Sequence, residues 1–207
     1  MKLKVCGMKY EANIRAIAEL KPDYLGFIFY SKSKRNFDGE IPVLSKDIKK
    51  TGVFVNETVD SVIHLIEEYQ LQAVQLHGDE SVSYIEELKS KNIEVEIIKV
   101  FGIKDSFDFS TLKDYQSVVD YFLFDTKGKE RGGNGVKFDW SVLKEYPYKT
   151  PIFLSGGIGL EDIEEIKKIK TTGLPIHAID VNSKFEIEPG LKNIEDIQRF
   201  HNNLIAL

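Results

Sequence analysis

Short apolar runs alternate with longer amphipathic segments along this chain. Eight runs of four to six residues, rich in Val, Ile, Leu and Phe, have the apolar character of strands that are covered on both faces. The predicted strands span Leu3–Cys6, Tyr24–Phe29, Gly52–Val55, Ala73–Leu76, Val95–Val100, Tyr121–Asp125, Pro151–Ser155 and Ile176–Val181.

The segments between these strands carry helical patterns, with apolar residues at three- and four-residue spacing; in 80–90 and 160–169 acids stand towards the start and lysines towards the end. The pattern predicts helices over residues 11–20, 58–69, 80–90, 160–169 and 194–204, and weaker ones over 41–50, 106–118 and 138–146. Eight strand–helix pairs without a long linker favour a closed barrel over an open doubly wound sheet. We therefore expect an α/β fold, a single (β/α)8 TIM barrel domain over residues 1–207.

Composition narrows the class of protein. A chain of 207 residues with 42% hydrophobic content can bury a sizeable core. The net charge of -5 argues against a nucleic-acid surface. The N-terminus lacks the apolar run of a signal peptide, and no stretch approaches the roughly 18 apolar residues of a membrane helix. We expect a cytoplasmic protein without nucleic-acid or membrane partners, and leave monomer or homodimer open.

In a (β/α)8 barrel the working face lies at the carboxyl ends of the strands. Polar and ionisable residues stand there in this sequence, just where the apolar runs stop. They are Cys6, Gly7, Arg35, Asn56, His77, Gly78, Lys99, Asp125, Thr126, Ser155–Gly157 and Asp180–Lys184.

Cys6 is the only cysteine of the chain, so an internal disulfide is excluded and its role is either core packing or chemistry. Lys4 stands two residues earlier and points to the same side of the strand. Its ammonium is expected to lower the pKa of the thiol towards neutrality. Asp125 ends the sixth predicted strand and either faces Cys6 across the barrel mouth, as one of an acid and base pair, or caps a turn.

Two glycine-rich segments indicate ligand contacts. Ser155, Gly156 and Gly157 follow the seventh predicted strand, and the loops after the seventh and eighth strands commonly bind phosphate in such barrels. The alternative is a tight turn that needs glycine. The segment Lys127–Trp140 is either a flap that covers a substrate or a surface loop.

Seven motifs occur in order over nearly the whole chain, and together they resemble the phosphoribosylanthranilate isomerase family of tryptophan biosynthesis. They are KVCGM, GFIFYSKSKR, GVFVN, VQLHGDE, FDTKGKERGGNGVKFDW, LSGGI and DVNSKFEIEPGLKN. The resemblance implies a (β/α)8 barrel that rearranges N-(5-phosphoribosyl)anthranilate to 1-(2-carboxyphenylamino)-1-deoxyribulose 5-phosphate without metal or organic cofactor.

The resemblance also implies roles for individual residues. Cys6 matches the general base and Asp125 the general acid, which requires a lowered thiol pKa and a raised carboxyl pKa. Arg35 matches the partner of the anthranilate carboxylate, and His77 and Lys4 are further candidates for substrate binding. The expected phosphate ligands are Ser155, Gly156, Gly157, Asn182 and Ser183.

The sequence departs from the family in two places. Asn182, Ser183 and Lys184 stand where two serines and a glycine are usual, and Asn193 stands where an aspartate is common. The phosphate contacts after the eighth strand are the least direct inference for this reason. Two alternatives stay open at this point: a related barrel enzyme for another phosphosugar, and a barrel that only binds a phosphate ligand.

Overall fold

The structure, a computed structural model, describes residues 1–127 and 137–206. Eight parallel strands in these residues form a closed barrel in chain order. The strands are β1 (Lys2–Val5), β2 (Tyr24–Ile28), β3 (Lys49–Phe54), β4 (Ala73–Leu76), β5 (Glu96–Ile103), β6 (Tyr121–Thr126), β7 (Ile152–Leu154) and β8 (Ile176–Val181). Residues Lys2–Val5 pair with Ala178–Val181, which closes the ring and confirms the predicted barrel.

Helices connect most of the strands. They are α1 (Glu11–Ala18), α2 (Val59–Tyr69), α3 (Val82–Ser90), α4 (Ile163–Lys170) and α5 (Ile194–Ile205), with short 3-10 helices at Phe109–Tyr115, Trp140–Glu145, Leu160–Asp162 and Ser183–Phe185. Thr58 caps α2, because its side chain accepts a hydrogen bond from the Ser61 amide. The amphipathic pattern of α2 buries Val59, Val62 and Ile66 against the barrel.

The predicted helix over residues 41–50 is wrong. Lys49 and Lys50 begin β3, and residues 41–48 are irregular. Pro42 cannot donate a backbone hydrogen bond, and Val43 is 96% exposed, while Ile41, Leu44 and Ile48 pack on the core from an irregular connection. The two ragged patterns over 106–118 and 138–146 give only 3-10 helices.

A two-stranded antiparallel hairpin follows β8. Its strands are β9 (Glu186–Glu188) and β10 (Leu191–Lys192), joined at Pro189 and Gly190. Gly190 has a φ of 90°, which a glycine adopts without strain. The hairpin places two charged residues beside the carboxyl ends of the first strands.

Two layers of apolar side chains hold the barrel together. The larger cluster packs the outer faces of the strands against the helices. The smaller one fills the inside of the ring and consists of Tyr24, Ala73, Ile98, Val100, Leu123, Phe153 and Ala178. Polar groups therefore meet at the two ends of the barrel, and the carboxyl ends of all eight strands share one of them.

Candidate active site

Cys6 follows β1 directly, at the carboxyl end of the barrel. Its amide donates to the carbonyl oxygen of Val181 at 2.9 Å, and the residue is 4% exposed. Gly26 of β2 leaves the space that the thiol occupies, because a Cβ at that position would lie 2.8 Å from the Cys6 Sγ. This burial is typical of a core cysteine, but charged side chains, Lys4 and Asp180 among them, act on the thiol.

Lys4 and Asp180 form a buried ion pair next to Cys6. The Lys4 Nζ lies 2.9 Å from the Asp180 Oδ1, and the two side chains are 0% and 7% exposed. Burial lowers the pKa of Lys4, but Asp180 and Cys6 raise it above its ordinary value. Lys4 is therefore an ammonium whose charge is already matched by Asp180.

The thiol pKa is raised in this setting. Burial is the largest cause, the Lys4 ammonium lowers the pKa, Asp180 raises it and Lys192 lowers it. The prediction that Lys4 brings the net pKa of Cys6 below its ordinary value is wrong, because burial and the carboxylate of Asp180 outweigh that one ammonium. The second cation, Lys192, was not anticipated from the sequence.

Asp125 lies in β6 at the same end of the barrel. Its side chain is 12% exposed, and its Oδ1 accepts a hydrogen bond of 2.8 Å from the Thr126 amide. Burial raises the pKa of Asp125 to about 6, although the Thr126 hydrogen bond works against the rise. A carboxyl group with this pKa is partly protonated near neutral pH, as a general acid must be.

The two candidate catalytic groups share their charged neighbours. Lys4 and Asp180 act on the pKa of Cys6 and also on that of Asp125. Because all strands are parallel, both groups lie on the same rim of the ring. Two titratable groups of different chemistry, a thiol and a carboxyl, therefore lie on one rim of the barrel.

His77 lies beside Asp125 after β4. Its Nε2 is 3.6 Å from the Asp125 Oδ2, and its Nδ1 is 3.3 Å from the Gln75 Nε2. The imidazole side chain is 15% exposed. It therefore lines the mouth on the side of the candidate acid.

Arg35 is engaged by a residue that sequence reasoning missed. Its Nε lies 2.9 Å from the Glu186 Oε1, and its Nη2 lies 2.6 Å from the Glu186 Oε2. The Arg35 side chain is 15% exposed, whereas Lys32 and Lys34 are exposed. Arg35 thus belongs to the barrel mouth, and Glu186 sets its orientation.

The candidate phosphate ligands come from adjacent loops. Ser155, Gly156 and Gly157 follow β7, and Asn182 and Ser183 follow β8, which pairs with β7. Gly156 and Gly157 have φ values of 93° and 64°. A Cβ on Gly156 would lie 2.5 Å from the Thr126 Oγ1, so the backbone there packs closely against the end of β6.

Two details bear on the departures from the family pattern. The Asn182 Oδ1 accepts a hydrogen bond of 2.6 Å from the Lys192 Nζ, so this side-chain oxygen points to the hairpin. The Lys184 Nζ lies 3.7 Å from the Glu161 Oε1, and both side chains are exposed.

Lys99 is part of a buried structural contact. Its Nζ lies 3.0 Å from the Glu80 Oε2, and Glu80 also accepts hydrogen bonds from the amides of Asn56 and Gly78. The pair ties together the loops after β3 and β4. Lys99 therefore serves the framework of the rim.

Some expectations fall outside what the structure describes. The predicted flap over Lys127–Trp140 includes residues 128–136, which lie outside the described residues. Within residues 1–127 and 137–206, no group of three or more His, Cys, Asp and Glu side chains is placed to hold a metal ion. In the same part of the chain no helix is long and apolar enough to cross a bilayer.

Comparison with known proteins gives one family. Residues 3–203 match the family model described as N-(5'phosphoribosyl)anthranilate (PRA) isomerase. N-(5'-phosphoribosyl)anthranilate isomerase from Parabacteroides distasonis is 42% identical over 97% of this chain and 91% of its own length. The corresponding protein from Phocaeicola vulgatus is 38% identical over 99% of this chain and 98% of its own length.

Solved structures agree with the sequence relatives. The phosphoribosyl anthranilate isomerase of Thermotoga maritima has a TM-score of 0.83 and 30% identity, and each chain is covered in full. A phosphoribosyl anthranilate isomerase in complex with reduced 1-(o-carboxyphenylamino)-1-deoxyribulose 5-phosphate has a TM-score of 0.80 and 27% identity, again over the whole of both chains.

Proposed function

This chain belongs to the phosphoribosylanthranilate isomerase family, and from that membership we propose the reaction, the substrate and the roles of individual residues. The substrate is N-(5-phosphoribosyl)anthranilate, and the product is 1-(2-carboxyphenylamino)-1-deoxyribulose 5-phosphate. The reaction is an Amadori rearrangement that belongs to tryptophan biosynthesis. Membership of an isomerase family decides against a barrel that only binds a phosphate ligand.

Cys6 and Asp125 are the proposed general base and general acid. One observation carries this proposal: the two groups end strands on the same rim and share Lys4 and Asp180 as charged neighbours. Asp125, protonated, gives its proton to the ribose ring oxygen as the bond between C1′ and that oxygen breaks, while the nitrogen lone pair forms the double bond to C1′ and gives an open-chain Schiff base. The thiolate of Cys6, the minor form at neutral pH because burial raises the thiol pKa, then removes the proton from C2′ to give an enolamine, and tautomerisation yields the ketone.

The remaining contacts follow the charges of the substrate. Arg35 binds the anthranilate carboxylate, because its planar guanidinium matches two carboxylate oxygens. His77 lies close enough to Asp125 to contact the same sugar, and the Lys4 ammonium stabilises the thiolate form of Cys6. The phosphate group binds to the two loops that carry Ser155, Gly156, Gly157, Asn182 and Ser183.

Direct assay of turnover tests the proposal. We expect purified protein to remove the fluorescence of freshly made phosphoribosylanthranilate, and we expect Cys6→Ala and Asp125→Asn each to reduce kcat by about 100-fold or more, which is the usual contribution of a general acid or base. Asp38→Asn, which removes an exposed carboxylate, is the matched control. Normal rates in either active-site variant, with circular dichroism spectra unchanged, would show that the roles are wrong.

Several features stay predictions: independence of cofactors, a cytoplasmic location, a single catalytic domain over residues 1–207 and a monomer or homodimer.

A further inference from the structure

Lys192 and Glu186 are buried charged residues that the proposed reaction does not use. Their side chains are 0% and 5% exposed, and the Lys192 Nζ lies 2.6 Å from the Glu186 Oε1. A buried ammonium costs several kcal/mol of desolvation, and a buried ion pair is often no more stabilising than apolar side chains of the same volume. Stability of the fold therefore does not by itself explain a lysine at this position.

The hairpin holds the lysine in a fixed place. The Asn13 side chain of α1 donates to the Lys192 carbonyl at 2.9 Å and accepts from the Lys192 amide at 2.8 Å. At the other end of the side chain, the Nζ donates to the Asn182 Oδ1 at 2.6 Å. Asn182 packs against the residue after Cys6, since a Cβ on Gly7 would lie 2.7 Å from the Asn182 Oδ1.

Glu186 connects this lysine to Arg35. Its carboxylate accepts from the Lys192 Nζ at 2.6 Å, from the Arg35 Nη2 at 2.6 Å and from the Gly190 amide at 3.0 Å. Burial raises the pKa of Glu186, but Arg35 and Lys192 hold it below its ordinary value. Glu186 is therefore ionised and pairs with both cations.

The Lys192 ammonium lies within electrostatic reach of the thiol. Lys192 and Cys6 act on each other's pKa, and the neighbouring Lys4 is already matched by Asp180. Burial lowers the pKa of Lys192 to about 8, with Glu186 and Cys6 raising it and Arg35 lowering it. At pH 7 the Lys192 side chain is an ammonium, which favours the charged form of the Cys6 thiol.

We propose that Lys192 is a positioning residue for the reaction, whose buried ammonium stabilises the Cys6 thiolate, and that Glu186 holds Lys192 and Arg35 in one rigid unit. The proposal rests on the proposed function for its kinetic consequence, but its electrostatic part concerns the thiol alone. It makes the hairpin part of the active site, although neither residue needs to touch the reacting atoms.

The test is the rate of Cys6 alkylation by iodoacetamide, titrated below about pH 8, where Lys192 is an ammonium; it reads the thiolate directly because the chain has no other thiol. We expect Lys192→Met to slow alkylation at pH 7 about tenfold, Lys192→Arg to keep it near the wild-type rate, and Lys168→Met, an exposed lysine on α4, to leave it unchanged. A tenfold change in the thiolate fraction corresponds to about one unit of thiol pKa.

The kinetic readout separates electrostatics from folding. We expect Lys192→Met to lower kcat at pH 7 by about tenfold or more, with KM changed less than about threefold, and to recover activity as the pH rises. A lysine with a structural role only would change the amount of folded enzyme without moving the pH profile. Lys192→Met leaves Glu186 paired with Arg35, so the variant does not leave a buried carboxylate without a cationic partner.

Should the single variant fail to fold, the double variant Glu186→Gln, Lys192→Met removes both charges of the pair, and the same titration is made on it. Alkylation of the folded variant at pH 7 as fast as that of the wild type overturns the inference. Wild-type protein that does not turn over phosphoribosylanthranilate overturns the proposed function instead, while the thiol titration remains valid.

Discussion

Among single residues, Asp125 combines burial with a pKa of about 6. A carboxyl group that is ionised at pH 7 despite such burial lowers the stability of the fold. The folded protein binds a proton at this site up to about pH 6, whereas the unfolded chain releases it near 3.8, so stability falls as the pH rises through this range. The full cost at pH 7 is about 3 kcal/mol, from roughly 1.4 kcal/mol per pKa unit.

Asp125→Asn is therefore expected to stabilise the protein while it lowers kcat. The free energy of unfolding, measured by urea denaturation, rises by up to about 3 kcal/mol at pH 7, because the neutral amide avoids the desolvation cost. Below pH 4 the variant and the wild type have equal stability. Asp38→Asn, at an exposed position, is expected to cause a similarly small change in the free energy of unfolding at pH 7 and below pH 4. A variant less stable than wild type at pH 7 would contradict this account of the pKa.

The candidate site was predictable from sequence only in part, and the residue scale shows why. Cys6, Asp125 and Arg35 follow strand ends, so the barrel pattern points to them. Glu186 and Lys192 lie in a hairpin after the last strand, and their partners are 151 and 10 positions away in sequence. The direction in which the pKa of Cys6 shifts depends on how deeply the thiol is buried, and no local sequence pattern predicts that depth.

At the scale of single elements, β2 is built to accommodate the thiol. A Cβ on Gly26 would lie 2.8 Å from the Cys6 Sγ and 3.1 Å from the Cys6 Cα. Contacts this short force either the strand or the cysteine to move. Gly26 therefore fixes the position of the candidate base from the neighbouring strand.

Gly26→Ala is expected to reduce kcat by about tenfold or more and to lower the free energy of unfolding by about 1 to 3 kcal/mol, the usual cost of overpacking a core. Steady-state kinetics and urea denaturation measure the two effects. Gly39→Ala is the matched control, because the nearest atom to its added Cβ is 3.8 Å away. Wild-type kinetics in Gly26→Ala would mean that the thiol has freedom to move without loss of function.

Element types were predictable where the pattern was regular. β4 and β8 have the predicted bounds, and α5 begins where expected, because Asn193 supplies a cap for the first turn. The segment after β2 was wrongly predicted as a helix, because four apolar residues at roughly helical spacing over 41–48 lie in an irregular connection. Helix periodicity alone does not report which side chains the barrel has room to cover.

On the scale of the whole molecule, the end of the barrel opposite the candidate site holds a second polar cluster. The Tyr24 hydroxyl lies 2.9 Å from the His177 Nε2 and 3.1 Å from the Glu96 Oε2, and the Lys49 Nζ lies 2.5 Å from the Glu96 Oε1. The Tyr121 ring packs on the His177 ring with centroids 4.3 Å apart. All five residues stand at the start of their strands and close the amino end of the ring.

His177→Gln tests what this closure contributes. Burial, with Lys2 next, lowers the pKa of His177 to about 4, so the unfolded chain binds a proton below about pH 6.5 that the folded protein does not. Stability is thus lost as the pH falls from 6.5 towards 4, by about 2 kcal/mol once partial exposure is allowed for. Urea denaturation is expected to show that the free energy of unfolding falls less between pH 7 and pH 4.5 in His177→Gln than in the wild type.

The control for this experiment is His64→Gln, because the His64 side chain is 76% exposed on α2. We expect it to keep the wild-type dependence of stability on pH. Equal losses in His177→Gln and the wild type would assign the acid sensitivity to other groups.

The bonds between Asn13 and Lys192 join the first strand–helix unit to the hairpin that follows the last strand. Translation delivers these two regions at opposite ends of the growing polypeptide, and a domain of this kind folds as a unit. A nascent chain on the ribosome can therefore carry every group proposed for acid, base and phosphate contact and still lack the cation that makes its thiol reactive. On the proposed role of Lys192, the thiol becomes fully reactive only after residues 186–192 have left the exit tunnel and the hairpin has bound Asn13 of α1.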